Sequence, residues 1–250
     1  MIKLSDILRR PRRERPSVRR INRIARHVDV RSYLEIGVNA GLTFNALNFE
    51  HKVAVDPHFR FSVADYRRDG VEFHAVPSDA YFTGLARPVV FDLIFLDGLH
   101  TFQQTFRDFC NSLACCGPQT IWLIDDVLPT DAFSALPDQN EALRLRKQAG
   151  GEGTAWHGDV FKLMFVLHDF FPMFSWVTLG ADDNAQALVW RAPRENFSPR
   201  FNNMEAIERM TYFDLLENMR MLNRTSEEEG LRRFFAATRR QPVGEGQREP

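Results

Sequence analysis

Three acidic side chains and a histidine follow two short apolar runs near the middle of the chain. Asp97-Gly98-Leu99-His100 ends one run, and Asp125-Asp126 ends the next. If the runs are neighbouring strands of a parallel sheet, about 4.8 Å apart, their carboxylates converge at one edge. Converging carboxylates repel unless protons, bases or a cation compensate them, and Mg²⁺ prefers carboxylate and water oxygens. Each acid alone fits an ordinary strand end or cap, but together they predict a magnesium site formed by Asp97, Asp125 and Asp126.

His100 is the histidine that the sequence places beside these acids. It follows Asp97 by three residues. The ordinary pKa of imidazole is near neutrality, which suits a general base that takes a proton from a hydroxyl. A surface or capping histidine is the alternative reading. Four other histidines are not placed beside these acids and are expected to be structural or exposed: His51, His58, His74 and His168.

A glycine-containing turn, Glu35-Ile36-Gly37-Val38-Asn39-Ala40-Gly41, follows an earlier apolar run. Glycine lets the backbone turn tightly and approach a ligand, and we expect a helix directly after the turn, with free amide donors. Dinucleotide enzymes carry Gly-x-Gly-x-x-Gly at this place, whereas this turn has Gly-x-x-x-Gly. Glu35 is poorly placed beside a pyrophosphate and suits a cationic or amino-bearing ligand. The turn therefore predicts a small-molecule site other than a dinucleotide site.

Two further polar positions follow the next apolar runs. Asp56 ends Val53-Ala54-Val55-Asp56-Pro57, where an acid can accept hydrogen bonds from both ribose hydroxyls of a nucleoside. Asp before Pro is also a common turn starter. Ser78 and Asp79 follow the third run, where a polar side chain reaches an adenine edge; a helix-cap role fits them equally well.

The elements that position these residues alternate between short β-rich runs and helical patterns, as in βαβ units around a parallel sheet. A hairpin from two further runs, flanking residues 180–184, closes the sheet with an antiparallel edge strand. The predicted strands are Ser32–Ile36, Lys52–Val55, Val71–Val76, Phe91–Leu96, Thr120–Ile124, Phe174–Leu179 and Ala187–Trp190. The predicted helices are Leu42–Phe49, Ser62–Arg68, Asp79–Ala86, Thr101–Ala114, Asp159–Phe170, 204–223 and 227–238. Gly117-Pro118 is expected to stop a helix before the fifth strand.

The organisation along the chain follows from these elements. Residues 1–30 form a basic arm and a helix, 31–192 the α/β domain, 193–240 C-terminal helices, and 241–250 a disordered tail. Residues 128–155 are too long for an ordinary connection and are predicted to form a lid. Asp159 is expected to cap the helix that follows.

Charge is distributed unevenly although the net charge is −1. Residues 1–31 carry eleven Lys and Arg against three acids. Such clustering occurs in proteins that bind nucleic acids or anionic membranes. A solvent-facing helix side and an arm against the acidic body explain it more simply, so we expect no nucleic-acid partner. The apolar positions of that helix are Val18, Ile21, Ile24, Ala25 and Val28.

The cysteine content and hydropathy indicate the cellular setting. Three cysteines, at 110, 115 and 116, make no disulfide framework and stand at no zinc-ligand spacing. No apolar stretch approaches the ~20 residues of a membrane span, and no secretory signal is recognisable. We expect a cytoplasmic protein without a membrane span. The 22 phenylalanines leave apolar surface for a homo-oligomer interface.

In order and spacing, these motifs resemble those of class I S-adenosylmethionine (SAM)-dependent methyltransferases. The resemblance covers residues 32–191 and is nearest to the bacterial branch of magnesium-dependent O-methyltransferases with Asp-Gly-x-His and Asp-Asp motifs. It implies a Rossmann-like, doubly wound, seven-stranded α/β sheet that is mostly parallel with an antiparallel last strand. The implied cofactors are SAM and Mg²⁺, and the implied substrate is a small-molecule hydroxyl such as that of a sugar or natural product.

The resemblance also implies roles for single residues. Those bordering SAM would be Glu35, Gly37, Asn39, Gly41, Asp56, Ser78, Asp79 and Asp97. Asp97, Asp125 and Asp126 would ligate the metal, and His100 would deprotonate the substrate. Residues 156–162 also resemble this branch, although Lys162 fits a helix-surface lysine better than a substrate contact. The turn departs from the family in lacking a third glycine.

Three alternative functions each fit part of the sequence. A metal-independent methyltransferase would keep the cofactor site but would turn Asp97 or Asp126 into the protein. An NAD-dependent oxidoreductase would share Asp56 but not the acidic cluster. A non-catalytic Rossmann-like binding protein would use the arginine arm and would not need the cluster intact.

Overall fold

A computed structural model describes residues 14–85, 89–180 and 184–238. The helices and strands described before the predicted lid are α1 (Pro16–Ala25), β1 (Ser32–Ile36), β2 (His51–Val55), β3 (Val71–His74), α2 (Ser78–Thr83), β4 (Phe91–Leu96), α3 (Phe102–Ser112) and β5 (Cys116–Ile124). The lid itself contains α4 (Gln139–Gln148). The remaining elements are α5 (Lys162–Phe170), β6 (Phe174–Leu179), β7 (Gln186–Arg191), α6 (Met204–Glu208), α7 (Tyr212–Glu217), β8 (Arg224–Thr225) and α8 (Glu227–Thr238). Arg9, Arg10, Arg12 and Arg13 of the arm and the tail 241–250 lie outside the described residues.

The strands form a single sheet in the order β3-β2-β1-β4-β5-β7-β6-β8. The first five are parallel, and β7 pairs antiparallel with both β5 and β6. This confirms the doubly wound, mostly parallel α/β fold. Two details differ: β8 adds a short eighth strand, and β7 lies between two strands instead of at the edge.

Helices cover both faces of the sheet. Side chains from α2, α3 and α5 form one core with the strand residues that face them. On the other face, α1 and α8 pack over the sheet with Ile21, Ile24 and Phe234 fully buried. The predicted apolar stripe of α1 therefore docks as expected. Its arginines are not all solvent-facing, however, because Arg20 is 0% exposed.

Two predicted helices are wrong, and their residues form short 3₁₀ turns instead. Leu42–Phe49 contains only the turn Phe44–Ala46, because the buried ammonium of Lys52 donates to the carbonyl oxygens of Phe44 (2.7 Å) and Leu47 (2.8 Å). Ser62–Arg68 contains only Val63–Tyr66. There the rings of the segment pack edge to face, as Phe61 does with Tyr66 and Phe73. Tertiary contacts override helix periodicity here.

The other boundaries differ for local reasons. β5 begins at Cys116 and includes Gly117-Pro118, since the pairing register shifts at that end of the strand and proline is tolerated at such irregularities. Residues 204–223 are divided into α6, α7 and a 3₁₀ turn because Thr211 starts a new capping box with Asp214. The lid contains α4, which is capped by Asp138.

No described helix has the length and apolar character that crossing a membrane requires.

Candidate functional site

The acidic residues lie at the carboxyl edge of the sheet because β4 and β5 are neighbours, as predicted. Main-chain pairing continues past the strand ends: Asp97 N donates to the carbonyl of Ile36 (2.8 Å), and Asp125 N donates to that of Leu96 (3.0 Å). Asp126 adopts the left-handed region, with φ of +58°. The backbone therefore reverses directly after Asp125 and directs the two consecutive carboxylates differently.

Asp97, His100 and Asp126 form a compact group. One ligand atom from each lies within 4.8 Å of the other two. His100 Nδ1 is paired with Asp126 Oδ2, and His100 Nε2 lies 4.0 Å from Asp97 Oδ1. Two carboxylates and an imidazole are donors that a divalent cation accepts. The group thus fits a metal ion, with His100 nearer to the ligands than the sequence predicted.

Asp125 is not part of this group of three. Its Oδ1 accepts hydrogen bonds from Asn184 Nδ2 (2.9 Å) and from the backbone N–H of Asp126 (2.9 Å). The Gln186 side chain also acts on this carboxyl and lowers its pKa. The structure therefore places two of the three predicted metal ligands, Asp97 and Asp126, together. The third, Asp125, is hydrogen-bonded by Asn184.

The electrostatics of this edge favour a bound positive charge. Burial and the nearby charges of Asp125 and Asp126 raise the pKa of Asp97 well above its ordinary value. Burial and the charge of Asp126 raise the pKa of Asp125 to about 7. Burial alone lowers the pKa of His100, but the hydrogen bond and charge of Asp126 outweigh this and raise it. A cation here would relieve the repulsion between the carboxylates.

The end of the lid packs directly on His100. The Trp156 ring lies 5.0 Å from the imidazole, centroid to centroid, and Trp156 Nε1 donates to the carbonyl of Leu136 (2.7 Å). A side chain at Gly158, whose φ is +62°, would overlap the carbonyl oxygen of His100. His157 has a buried Nδ1 with no partner among the described residues, and burial lowers its pKa. The lid therefore forms one wall of the site.

Asp159 and Lys162, which follow the lid, connect the start of α5 to α3 and α6. Asp159 Oδ1 accepts from the backbone N–H of Phe102 (2.7 Å), and Oδ2 pairs with Lys162 Nζ (2.8 Å). Lys162 also donates to the carbonyl of Glu208 (2.7 Å) and is buried. The helix-surface reading of Lys162 is wrong, as is the capping role of Asp159, because α5 begins later, after Phe161.

The glycine turn is built around Asp56, which is 8% exposed. Its Oδ2 accepts from the backbone N–H of Asn39 (2.7 Å) and its Oδ1 from that of His58 (2.7 Å). Gly37 has φ of +89°, and a Cβ there would overlap the carbonyl oxygen of Asp97. This close approach of β1 and β4 requires glycine. Each Asp56 oxygen keeps a second lone pair for a ligand hydroxyl.

A cavity of about 420 Å³ opens beside this turn. That volume is in the range of small-molecule sites. Five predicted cofactor residues line it, Gly37, Asn39, Asp56, Ser78 and Asp79, and so does Gly98, the residue after Asp97. Glu35 and Gly41 do not line it. Glu35 is 1% exposed and accepts a hydrogen bond from the Tyr33 hydroxyl (2.5 Å), with a pKa that burial raises to about 8.

Asp108 is a cavity residue that the sequence reasoning missed. Its carboxyl is 2% exposed, accepts from Gln104 Nε2 (3.0 Å), and has a pKa that burial raises to about 6. Gln104 also donates to Ser78 Oγ (3.2 Å) and Asp79 Oδ1 (3.3 Å). The spacing of Gln104 and Asp108, one helical turn apart after the His100 motif, was the available signal.

Among known protein families, residues 34–127 match the family model of a methyltransferase domain. No curated protein sequence matches the chain significantly.

Solved structures of methyltransferases are also similar to this chain at low sequence identity. The O-methyltransferase TomG from Streptomyces achromogenes, in complex with SAM, is 18% identical over 71% of this chain and 80% of its own, with a TM-score of 0.47. An O-methyltransferase from Bacillus cereus in complex with SAH is 17% identical over 70% and 80%, with a TM-score of 0.45. The SAH-bound methyltransferase PaMTH1 from Podospora anserina is 18% identical over 67% and 74%, with a TM-score of 0.45.

The family match begins in β1 and ends just after the Asp125-Asp126 pair, so it contains the glycine turn, Asp56 and the whole acidic edge. The match of residues 34–127 to a methyltransferase domain agrees with the resemblance that the motifs predicted.

Proposed function

We propose that this protein transfers the methyl group of SAM to a hydroxyl oxygen of a small molecule, with the aid of a divalent cation. The observation that carries the proposal is the meeting of two features at the end of β4. The cavity reaches Gly98, and the group of Asp97, His100 and Asp126 begins one residue earlier. A cofactor and an acceptor can therefore lie side by side at this edge.

The cavity supports a defined orientation of SAM. Asp56 lies at its floor with lone pairs available for the ribose hydroxyls, and Ser78, Asp79 and Asp108 supply polar groups for the adenine. Gly37 lets the cofactor approach the backbone beside Asp97. In this orientation the methionine end lies toward the acidic group, where the acceptor would be.

The residues present fit Mg²⁺. Asp97 and Asp126 would hold it, and His100 lies beside them with its Nε2 free for the substrate proton. When bound, the ion lowers the energy of negative charge on the acceptor oxygen. This assignment keeps the predicted ligands Asp97 and Asp126 and gives Asp125 an indirect role.

His100 is suited to accept the hydroxyl proton. Its Nδ1 is held by Asp126, which leaves Nε2 to take the proton. The acceptor oxygen then forms the bond to the methyl carbon while the carbon–sulfur bond of SAM breaks, and the sulfonium leaves as the neutral thioether SAH. Trp156 and the lid shield this position from water.

Methyl transfer from radiolabelled SAM to a panel of acceptors tests the proposal. The panel contains a catechol, a hexose and a phenolic polyketide, each assayed with Mg²⁺ and with a chelator. We expect transfer to at least one acceptor, loss of transfer in the chelator, and a drop of at least about 100-fold in His100→Ala. The matched control is His51→Ala, because His51 also pairs with one acid, Glu72, but at the amino end of β2.

Each part of the proposal can be refuted separately. Undiminished transfer in the chelator would support the metal-independent alternative. Equal rates in the two histidine variants would remove His100 from the mechanism. Transfer to none of the hydroxyl acceptors would contradict O-methylation of this class of molecule.

A further inference from the structure

We propose that Arg20 is a positioning residue for the candidate site, holding the Asp125 carboxyl in place through Asn184 and Gln186. Arg20 lies in α1, outside the segment that matches the methyltransferase family, and its side chain is 0% exposed. The inference rests on the proposed function only where Mg²⁺ is used as a probe. It assigns an active-site role to a helix that the family match does not include.

Arg20 contacts the first residue of β7, Gln186, and Asn184, two residues before the strand. Arg20 Nη1 donates to the carbonyl oxygen of Asn184 (2.5 Å) and to Gln186 Oε1 (2.8 Å). A guanidinium is planar and cannot lose its charge, so a buried one fixes the relative positions of its acceptors. Arg20 therefore determines where the Asn184 backbone and the Gln186 side chain lie.

Asn184 and Gln186 in turn act on the active-site acid, Asp125. Asn184 Nδ2 donates to Asp125 Oδ1 (2.9 Å), and the Gln186 side chain acts on the same carboxyl by lowering its pKa. Gln186 Nε2 in addition donates to Ser17 Oγ in α1 (2.9 Å). Both residues that Arg20 holds are thus partners of Asp125, which stands beside the metal-fitting pair.

The Arg20 site is itself constructed for a guanidinium. Arg20 Nε donates to Glu227 Oε2 in α8 (3.0 Å), which supplies the opposite charge that a buried arginine requires. A Cβ at Gly180, whose φ is +82°, would overlap Arg20 Nη2. The chain therefore leaves room for this side chain where any residue other than glycine would displace it.

A purely structural role, joining α1 to α8, is the competing explanation, and the neighbouring Arg23 separates the two. Arg23 also pairs with Glu227 (3.0 Å) and with Glu228 (2.8 Å), and no hydrogen bond to Asn184 or Gln186 is found for it. Arg23→Met removes ion pairs from the same helix junction and leaves the connection to Asp125 intact. It is the matched control for Arg20→Met.

The experiment compares the full-length wild type with Arg20→Met, Arg23→Met and Gln186→Met. Calorimetric titrations with Mg²⁺ and with SAH are combined with hydrogen exchange of the Asp126 amide, which donates to Asp125 Oδ1. In Arg20→Met we expect the dissociation constant for Mg²⁺ to rise about 10-fold or more. SAH affinity should stay within about twofold, because the residues that line the cavity do not include Arg20, Asn184 or Gln186.

Gln186→Met keeps the Arg20–Glu227 pair and breaks the relay one residue later, so it serves if Arg20→Met does not fold. It should weaken Mg²⁺ binding as Arg20→Met does, while Arg23→Met should behave as the wild type. If Arg20→Met and Gln186→Met both match Arg23→Met in Mg²⁺ affinity and in Asp126 exchange, the inference is overturned.

Failure of the proposed function gives a different pattern. A wild type that binds no Mg²⁺ contradicts the metal assignment, but the exchange measurement still decides the role of Arg20. We then expect the Asp126 amide to exchange about fivefold or more faster in Arg20→Met or Gln186→Met than in Arg23→Met. Equal exchange in all the variants would leave Arg20 with only its structural role.

Discussion

Replacing Gly37 with alanine tests how the glycine turn builds the site. Gly37 donates its N–H to the carbonyl of Val55 (2.9 Å) and has φ of +89°. An added Cβ would overlap the carbonyl oxygen of Asp97, with the Asp97 carbonyl carbon and Gly98 Cα directly behind it. All three obstacles are backbone atoms, so no side chain can rotate away. The ends of β1 and β4 must separate.

The expected loss of stability has two parts. Alanine in the left-handed region costs about 1–2 kcal/mol wherever it occurs. Forcing a methyl group into a tightly packed position costs a further ~1–3 kcal/mol. Gly153→Ala is the matched control, because Gly153 has nearly the same φ, +88°, and no atom within 4 Å of the added Cβ. Gly153→Ala should therefore show only the cost of the left-handed conformation.

Urea unfolding and SAH titration of both variants provide the assay. Gly37→Ala should lose about 2–5 kcal/mol and Gly153→Ala about 1–2 kcal/mol of unfolding free energy. Gly37→Ala should also weaken SAH binding at least about 10-fold, since Gly37 lines the cavity, while Gly153→Ala should not. Equal destabilisation by the two substitutions, or normal SAH affinity in Gly37→Ala, would refute the reasoning.

Three further predictions concern single carboxylates. Asp56→Ala should weaken SAH binding about 10- to 100-fold in calorimetry, because the cavity loses an ionised acceptor and the anchor of the Asn39 amide. For Asp108 the pKa is raised to about 6, so the folded state is favoured below pH 4 and loses this advantage as the pH rises through 6. Asp108→Asn should therefore be more stable than the wild type by up to about 2 kcal/mol in urea unfolding at pH 7.5, with the gain absent at pH 4. Burial by itself raises the pKa of Glu227, but hydrogen bonds from Arg19 and Arg20 hold it at about 2, so its stabilisation is present above pH 4.5 and is lost toward pH 2. Glu227→Gln should cost about 1–2 kcal/mol in unfolding at pH 6, after allowance for solvent screening, and about a quarter of that at pH 2.5.

Opposite results would contradict these assignments. Unchanged SAH affinity in Asp56→Ala would exclude the ribose role. A destabilised Asp108→Asn at pH 7.5 would show that the ionised carboxylate is stabilising. A Glu227→Gln deficit that is the same at pH 6 and pH 2.5 would contradict the ion-pair cluster.

The sheet was predictable because its strands are short, β-rich and bounded by turn residues. β1, β4 and β6 have the predicted bounds. Parallel pairing of β4 with β5 then brings Asp97 and Asp125-Asp126 to one edge, as the sequence predicted. The convergence of the acids follows from chain direction alone, without knowledge of side-chain packing.

The wrong helices show where local pattern is insufficient. Residues 42–49 have helical spacing, yet the Lys52 ammonium takes the carbonyl oxygens of Phe44 and Leu47 that a longer helix would use. Lys52 belongs to the next strand, so this competition is invisible in the segment itself. The expected helix N-terminus after Gly41 is absent for the same reason, and no helix amides face the cavity from there.

Side-chain orientation within the site was equally unpredictable. The sequence placed Asp125 and Asp126 together as ligands, but only Asp126 belongs to the compact group with Asp97 and His100. The residues that act on Asp125 are Asn184, two residues before β7, and Gln186, the first residue of β7, about 60 residues later in the chain. Gln186 was detectable only as a polar residue at the start of an otherwise apolar strand.

Calorimetric titration of the full-length protein with SAH, with NAD⁺ as the control, tests the central claim most directly, because SAH binds without reacting. The account predicts micromolar binding of SAH, none of NAD⁺, and a marked loss of SAH affinity in Asp56→Ala. Binding of NAD⁺ in place of SAH, or of neither ligand, would contradict the assignment of the cavity beside Asp56 and Gly37 to S-adenosylmethionine.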